Sequence, residues 1–300
     1  MLEFLDGGMI YELNKIHQDL GQTALLKEPE AIEKIYQSYV NSGSNYLTSC
    51  NYGYKSLKLD NWKELTEKAV NLLSNFQKKH NLINATNTIK TLGCFPPYFE
   101  SYHGGKVDNK FRNFYWDLVD LMDGKVDYYI LETQVDINHI REILKIINLS
   151  SKKTRKVWIS IYPEGNITFR ELTLILNEFP YLIEAVLLNC CSLEIMKEYF
   201  QKLIGPQQLV KRKIKFGFYL NKLDQEKYKN YDGDKKKTVD LTNFYDSRDV
   251  DYRDIDRFRN ELNGEGYNLI IGGCCGYGTQ EMEELIQEVK YLSIKGTARL

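Results

Sequence analysis

No stretch of this chain approaches the roughly 20 consecutive apolar residues of a membrane-spanning helix, and the N-terminus lacks the basic start and apolar run of a secretion signal. A soluble, cytoplasmic protein with no membrane partner is expected. Charge of one sign is also lacking: 40 basic residues face 41 acidic ones, a net of −1, which argues against nucleic acid as the main partner. No Gly-x-Gly-x-x-Gly fingerprint opens a helix after a strand, so a Rossmann dinucleotide site is not predicted. No internal repeat and no linker divides the 300 residues, a length that suits one large α/β domain.

What the chain does have is sulfur at the ends of two apolar runs. Residues 268–276 read Asn-Leu-Ile-Ile-Gly-Gly-Cys-Cys-Gly, a buried-strand pattern ending in Cys274 and Cys275. The other adjacent pair, Cys190 and Cys191, closes the apolar run that begins at Ile183. Two strands far apart in sequence that both end in thiols point to a shared site. Three readings stand side by side. Cysteine is among the residues most often buried inertly. A disulfide is disfavoured, because a bridge between sequence neighbours is strained and six cysteines without a secretory context favour a reducing compartment. Zinc bonds thiolate sulfur tetrahedrally, and its catalytic sites use three protein ligands and one open position. Gly272, Gly273 and Gly276 would permit the positive φ or close approach needed to turn two consecutive thiols toward one ion. Strand alternation sends Cys190 and Cys191 to opposite faces, so only one of them should join such a site.

Between these landmarks the chain alternates strand and helix patterns. Strands are predicted at 4–5, 45–50, 85–92, 127–133, 157–161, 183–190, 214–220 and 268–273, with a glycine and proline loop at 93–97. Helical stripes run through Ala31 to Val40, Trp62 to Phe76, Phe111 to Leu121, Ile137 to Ile147, 192–205 and Thr279 to Val289, and a further helix follows Thr168. Capping boxes are expected at Asn61/Glu64 and Thr168/Glu171, and Ser192 should cap its helix. Strands alternating with crossover helices predict a closed parallel (β/α)₈ TIM barrel, one α/β domain spanning 1–300. One segment, at about 222–250, is dense in Lys, Asp and Tyr without a periodic apolar face, and reads as a charged loop insertion after the seventh strand.

Three stretches carry a family resemblance: Gly272 to Gly276 with its paired cysteines, the Asn189–Cys190 pair, and the opening run Leu5 to Leu13 with Asp6, Gly7 and Gly8. In this order they resemble the homocysteine S-methyltransferase family, which includes betaine and S-methylmethionine enzymes, from about Leu2 to about Leu292. The resemblance implies a zinc-dependent methyltransferase that moves a methyl group from a small onium donor, S-methylmethionine foremost, to the thiolate of homocysteine. It places Cys190, Cys274 and Cys275 as catalytic zinc ligands and leaves Cys191, Cys50 and Cys94 as structural thiols. It implies that Glu132 and Asp6, with Gly7 and Gly8, meet the substrate amino acid, that Thr48 and Ser49 lie near it, and that Asn189 precedes a ligand. Built-in cobalamin and folate modules are not expected at this length. Departures surround the ligands: relatives usually read Gly-Thr at Ile10 and Tyr11, glycine at Leu187 or Leu188, Thr-Asn-Ser-Tyr where Ser49 to Tyr52 stand, and Tyr-Pro-Asn at Tyr219 to Asn221. They leave open the alternative of a zinc-binding barrel with another thiol or selenol substrate, or without transfer activity.

Overall fold

The computed structural model describes residues 2–16, 24–54, 59–99, 101–154, 156–204, 214–222, 251–264 and 268–297. Its strands are β1 (Leu2–Phe4), β2 (Tyr46–Thr48), β3 (Lys90–Phe95), β4 (Tyr128–Gln134), β5 (Val157–Ile161), β6 (Ile183–Cys191), β7 (Lys215–Leu220) and β8 (Leu269–Gly273). All neighbours pair in parallel, in the order β1-β8-β7-β6-β5-β4-β3-β2. That order is a ring cut between β1 and β2. A parallel bridge from Leu5 to Tyr46 spans the cut, beside a 2.7 Å bond from Asn45 N–H to the Phe4 carbonyl. The result is the predicted (β/α)₈ barrel.

The helices are α1 (Met9–Ile16), α2 (Ala24–Lys27), α3 (Pro29–Ser42), α4 (Trp62–Ile83), α5 (Asn109–Met122), α6 (Ile137–Ser150), α7 (Phe169–Glu178), α8 (Leu193–Ile204), α9 (Tyr252–Gly264) and α10 (Thr279–Thr297). Among the described residues none is long and apolar enough to cross a membrane. The capping box of α7 forms in full, and Ser192 Oγ accepts from Ile195 N–H at 3.3 Å. The expected box at Asn61 does not form: its side chain makes no cap bond, and α4 starts instead from a turn in which the Asn61 carbonyl accepts from Leu65 N–H at 3.1 Å.

Three further expectations are corrected. β3 begins five residues later than predicted and includes Gly93, Cys94 and Phe95, because the asparagines before it form a turn. Asn87 N–H donates to Asn84 O at 3.1 Å, and Asn81 Oδ1 accepts from Ile89 N–H at 2.8 Å. Helices α1 and α2 precede the first predicted stripe. α9 was not anticipated either: it supplies the helix after β7, with Ile255 and Phe258 buried among its described side chains, in a segment that reads as charged. The predicted charged insertion, 222–250, lies outside the described residues except for Lys222.

Two packed layers hold the barrel. Leu5, Leu92, Ile130, Trp158, Leu187 and Ile270 fill its interior, and a larger apolar layer joins the outer faces of the strands to the helices. At the N-terminal end of the strands, Lys215 Nζ lies 2.9 Å from Glu3 and 3.6 Å from Glu184, and donates to Tyr46 Oη at 2.9 Å. The Tyr46 ring packs edge-on against Trp158 with centroids 4.7 Å apart, so the barrel floor is closed by paired charges over packed rings.

Candidate thiol and carboxylate site

At the opposite end of the strands, the sulfurs of Cys190, Cys274 and Cys275 all lie within 4.8 Å of one another. Cys190 Sγ is 3.9 Å and Cys274 Sγ 4.0 Å from Cys275 Sγ. Tetrahedral zinc with bonds of about 2.3 Å requires sulfurs about 3.8 Å apart. The donor set and its spacing therefore fit zinc, with the fourth position left to a ligand.

The backbone explains how Cys190 enters this cluster while Cys191 does not. On β6 the register with β7 slips between Leu188, opposite Phe218, and Cys191, opposite Leu220, so one extra residue is inserted. Cys190 takes up the slip with a left-handed φ of 54°. Cys191 turns to the outer apolar layer and is buried there. β4 repeats the device: its register with β5 slips between Leu131 and Gln134, and Thr133 has φ 52°. Tyr102, in the loop after β3, has φ 69° and completes the set of non-glycine residues with positive φ among those described. Such conformations cost of order 1–3 kcal/mol each and persist only where surrounding packing enforces them. Cys190 is one of the thiols, Tyr102 touches it, and Thr133 bonds to the neighbouring Asn189.

Cys274 and Cys275 follow β8 on a turn that Gly276 makes with φ 77°. Gly8 lets the loop after β1 press against that turn, since a Cβ there would lie 2.7 Å from the Cys274 carbonyl. Its N–H donates to Tyr277 O at 2.7 Å, which locks the two loops together. Hydrogen bonds from Cys190 and Cys274 hold the Cys275 thiol well below its ordinary range, whereas Cys274 is pushed well above it by its bonds to Cys190 and Cys275 and by burial. One member of the cluster is thus poised to carry charge. Tyr102 Oη donates to Cys190 Sγ at 3.4 Å.

A cavity of about 350 Å³ opens beside the thiols, lined by Cys274, Cys275, Asp6 and Glu132 among others. Among the described residues no Lys, Arg or His lines it. Asp6 accepts from Thr48 N–H at 2.6 Å and from Thr48 Oγ1 at 3.1 Å, yet burial still raises its carboxyl to about 7. Burial, and next the charge of Asp6, raise Glu132 to about 8. Two buried carboxylates without a basic partner make a site for a cation.

Asn189 lies beside Cys190 and donates from Nδ2 to Glu132 at 3.1 Å. Its Oδ1 accepts from Thr133 Oγ1 at 3.0 Å, and Thr133 Oγ1 accepts from Tyr52 Oη at 3.0 Å. This chain fixes the Glu132 carboxylate. Sequence reasoning missed Thr133 and Tyr52 as its members, although both neighbour singled-out residues; nothing in the sequence marks Tyr102. Gly7, Gly8, Thr48 and Ser49 all line the cavity. The Ser49 hydroxyl is occupied, however, donating to Asn51 at 2.6 Å and accepting from Cys94 N–H at 2.9 Å. Cys50 and Cys94 also line the cavity as free thiols, and burial pushes Cys50 up to about 11.

The chain matches the sequence model of the family described as homocysteine S-methyltransferase over residues 3–289. No curated protein sequence matches it. Among solved structures, the homocysteine methyltransferase MmuM from Escherichia coli is similar in its metallated form, with a TM-score of 0.70, 19% identity, and coverage of 96% of each chain. The apo form of the same enzyme gives a TM-score of 0.69 at 18% identity, covering 96% of this chain and 95% of that one. At that identity the likeness speaks for the shared fold.

Proposed function

We infer, from the premise that this chain belongs to the homocysteine S-methyltransferase family, that it transfers a methyl group from a small onium donor, S-methylmethionine foremost, to the sulfur of homocysteine. The observation that carries this reading is the cavity in which the thiol cluster and the pair Asp6 and Glu132 meet. Cys190, Cys274 and Cys275 would hold zinc, which when bound supplies thiolate character to a substrate sulfur at neutral pH and fixes its position.

The chain's own residues do the remaining work. Asp6 and Glu132 receive the substrate ammonium, which supplies the positive charge that the cavity lacks. Asn189 and Thr133 aim Glu132, and because Asn189 adjoins Cys190, one short segment sets both the charge contact and a metal ligand. Gly8 holds the loop of Asp6 against the cysteine turn, and Thr48 orients the Asp6 carboxylate. The homocysteine thiol gives up its proton to solvent, its sulfur attacks the donor methyl carbon, and the bond from that methyl to the donor heteroatom breaks, its electron pair staying on the heteroatom, which loses its positive charge. With S-methylmethionine both products are methionine.

The test is methionine formation from homocysteine with S-methylmethionine, betaine and S-adenosylmethionine as donors, using zinc-loaded and chelator-stripped protein. Turnover that depends on zinc is expected. Stoichiometric zinc with no methionine from any donor would favour the alternative of a binding barrel, or of another thiol or selenol acceptor.

A further inference from the structure

The turn that carries Cys274 and Cys275 leads into α10, and that helix starts without a cap of its own. Its N-cap position is Gly278, which has no side chain to accept from the first N–H groups of the helix. Glu281, three residues on, supplies half of a capping box by accepting from Gly278 N–H at 2.9 Å. The other acceptor comes from 267 residues away in sequence: Glu12, on α1, takes Thr279 N–H at 2.9 Å. Lys15 ties the two carboxylates together, donating to Glu12 at 2.9 Å and to Glu281 at 3.3 Å. Glu12 is buried, and a Cβ on residue 278 would lie 1.6 Å from its Oε1. Gly278 is outside the left-handed region, so the seat of Glu12, not backbone strain, bars a side chain there.

We propose that Glu12 is a positioning residue for the metal ligands: it completes the cap of α10 from α1 and so sets the Cys274–Cys275 turn before an ion arrives. The proposal rests on the zinc reading of the thiol cluster. Two consecutive thiols converge on one ion at the least entropic cost when the turn that bears them is fixed at both ends. At its start, Cys274 N–H donates to Leu220 O at 2.7 Å, within the barrel. At its end, Tyr277 is held by Gly8 and Thr279 by Glu12. Without Glu12 the Thr279 N–H turns to water, the first turn of α10 frays, and the thiols have to be ordered when zinc binds. Because α1 follows the loop of Asp6, the same contact joins the carboxylate side of the cavity to the metal side.

The test is the zinc affinity of the metal-free full chain, measured by competition with a chromophoric chelator. Glu12→Ala should weaken zinc binding by about tenfold, the lower end of the loss expected when groups behind metal ligands are removed. Glu12→Gln keeps an oxygen acceptor for Thr279 N–H and should stay within about threefold of wild type. Gly278→Ala pushes the Glu12 carboxylate from its seat and should match Glu12→Ala. The two changes together should bind zinc no more weakly than Glu12→Ala alone, since each breaks the same contact. Lys215→Met, which loosens the barrel floor, controls for a general loss of stability and should leave zinc affinity unchanged. Circular dichroism checks that each variant is folded. The proposal is overturned if Glu12→Ala binds zinc as tightly as wild type, if Glu12→Gln loses as much as Glu12→Ala, or if the losses of Glu12→Ala and Gly278→Ala add. Wild-type protein that binds no zinc would overturn the zinc reading itself, and this proposal with it.

Discussion

The two ends of the barrel treat buried charge in opposite ways. At the floor, Lys215 meets Glu3, Glu184 and the hydroxyl of Tyr46, so each charge has a partner. At the mouth, Asp6 and Glu132 share a cavity with no basic side chain, and Cys190, Thr133 and Tyr102 all carry left-handed backbone. The floor is arranged for stability. The mouth stores strain and two buried carboxyls without a basic partner, which a metal ion and a substrate ammonium would relieve.

The largest effect should come from the thiols. Cys275→Ala removes one of three ligands and is expected to eliminate stoichiometric zinc and methionine formation, whereas Cys191→Ala, in the outer layer, retains both. Metal analysis of the purified variants decides it, and equal zinc loss in both would assign the wrong member of the β6 pair.

Next is Glu132→Gln, which keeps volume and removes charge. Losing one partner of a desolvated charge pair costs on the order of 2–5 kcal/mol, or roughly 30-fold to several thousandfold in homocysteine affinity. Zinc content should not change. A simple alkyl thiol without the ammonium should bind both proteins alike.

The floor should show the reverse pattern. Lys215→Met leaves Glu3 and Glu184 facing each other and should lower stability by about 1–3 kcal/mol in urea unfolding, with zinc and homocysteine binding intact. Loss of zinc in this variant would mean that the two ends are not independent.

The smallest effect is a pH slope. The raised carboxyls, Asp6 to about 7 and Glu132 to about 8, keep protons in the folded chain that the unfolded chain has released. Folded protein therefore binds more protons between the unfolded carboxyl range near pH 4 and pH of about 8, and the stability of the zinc-free, substrate-free protein should fall as pH rises through that window. Glu132→Gln should flatten the slope; an unchanged slope would show that Glu132 is ionised throughout.

Much of the barrel was legible because apolar runs and helical stripes are local signals: β5 was located to the residue, and the Thr168 cap formed as read. β3 was misplaced because asparagine side chains in space, not in sequence, end the preceding turn. Of the site, the Asn189–Cys190 pair and the cysteines after β8 stand out in the sequence. Alternation alone could not choose between Cys190 and Cys191, since the choice is made by a bulge that no local pattern announces. Tyr102 was invisible for a similar reason, because a loop brings it to the thiols from about 90 residues away.

The most direct measurement is zinc K-edge X-ray absorption on the zinc-loaded protein with and without homocysteine. Three sulfur ligands and one light atom are expected for the free protein, rising to four sulfurs when homocysteine binds. Fewer than three sulfurs in the free protein, or a sphere that homocysteine leaves unchanged, would contradict the claim that Cys190, Cys274 and Cys275 hold zinc open for a substrate thiolate.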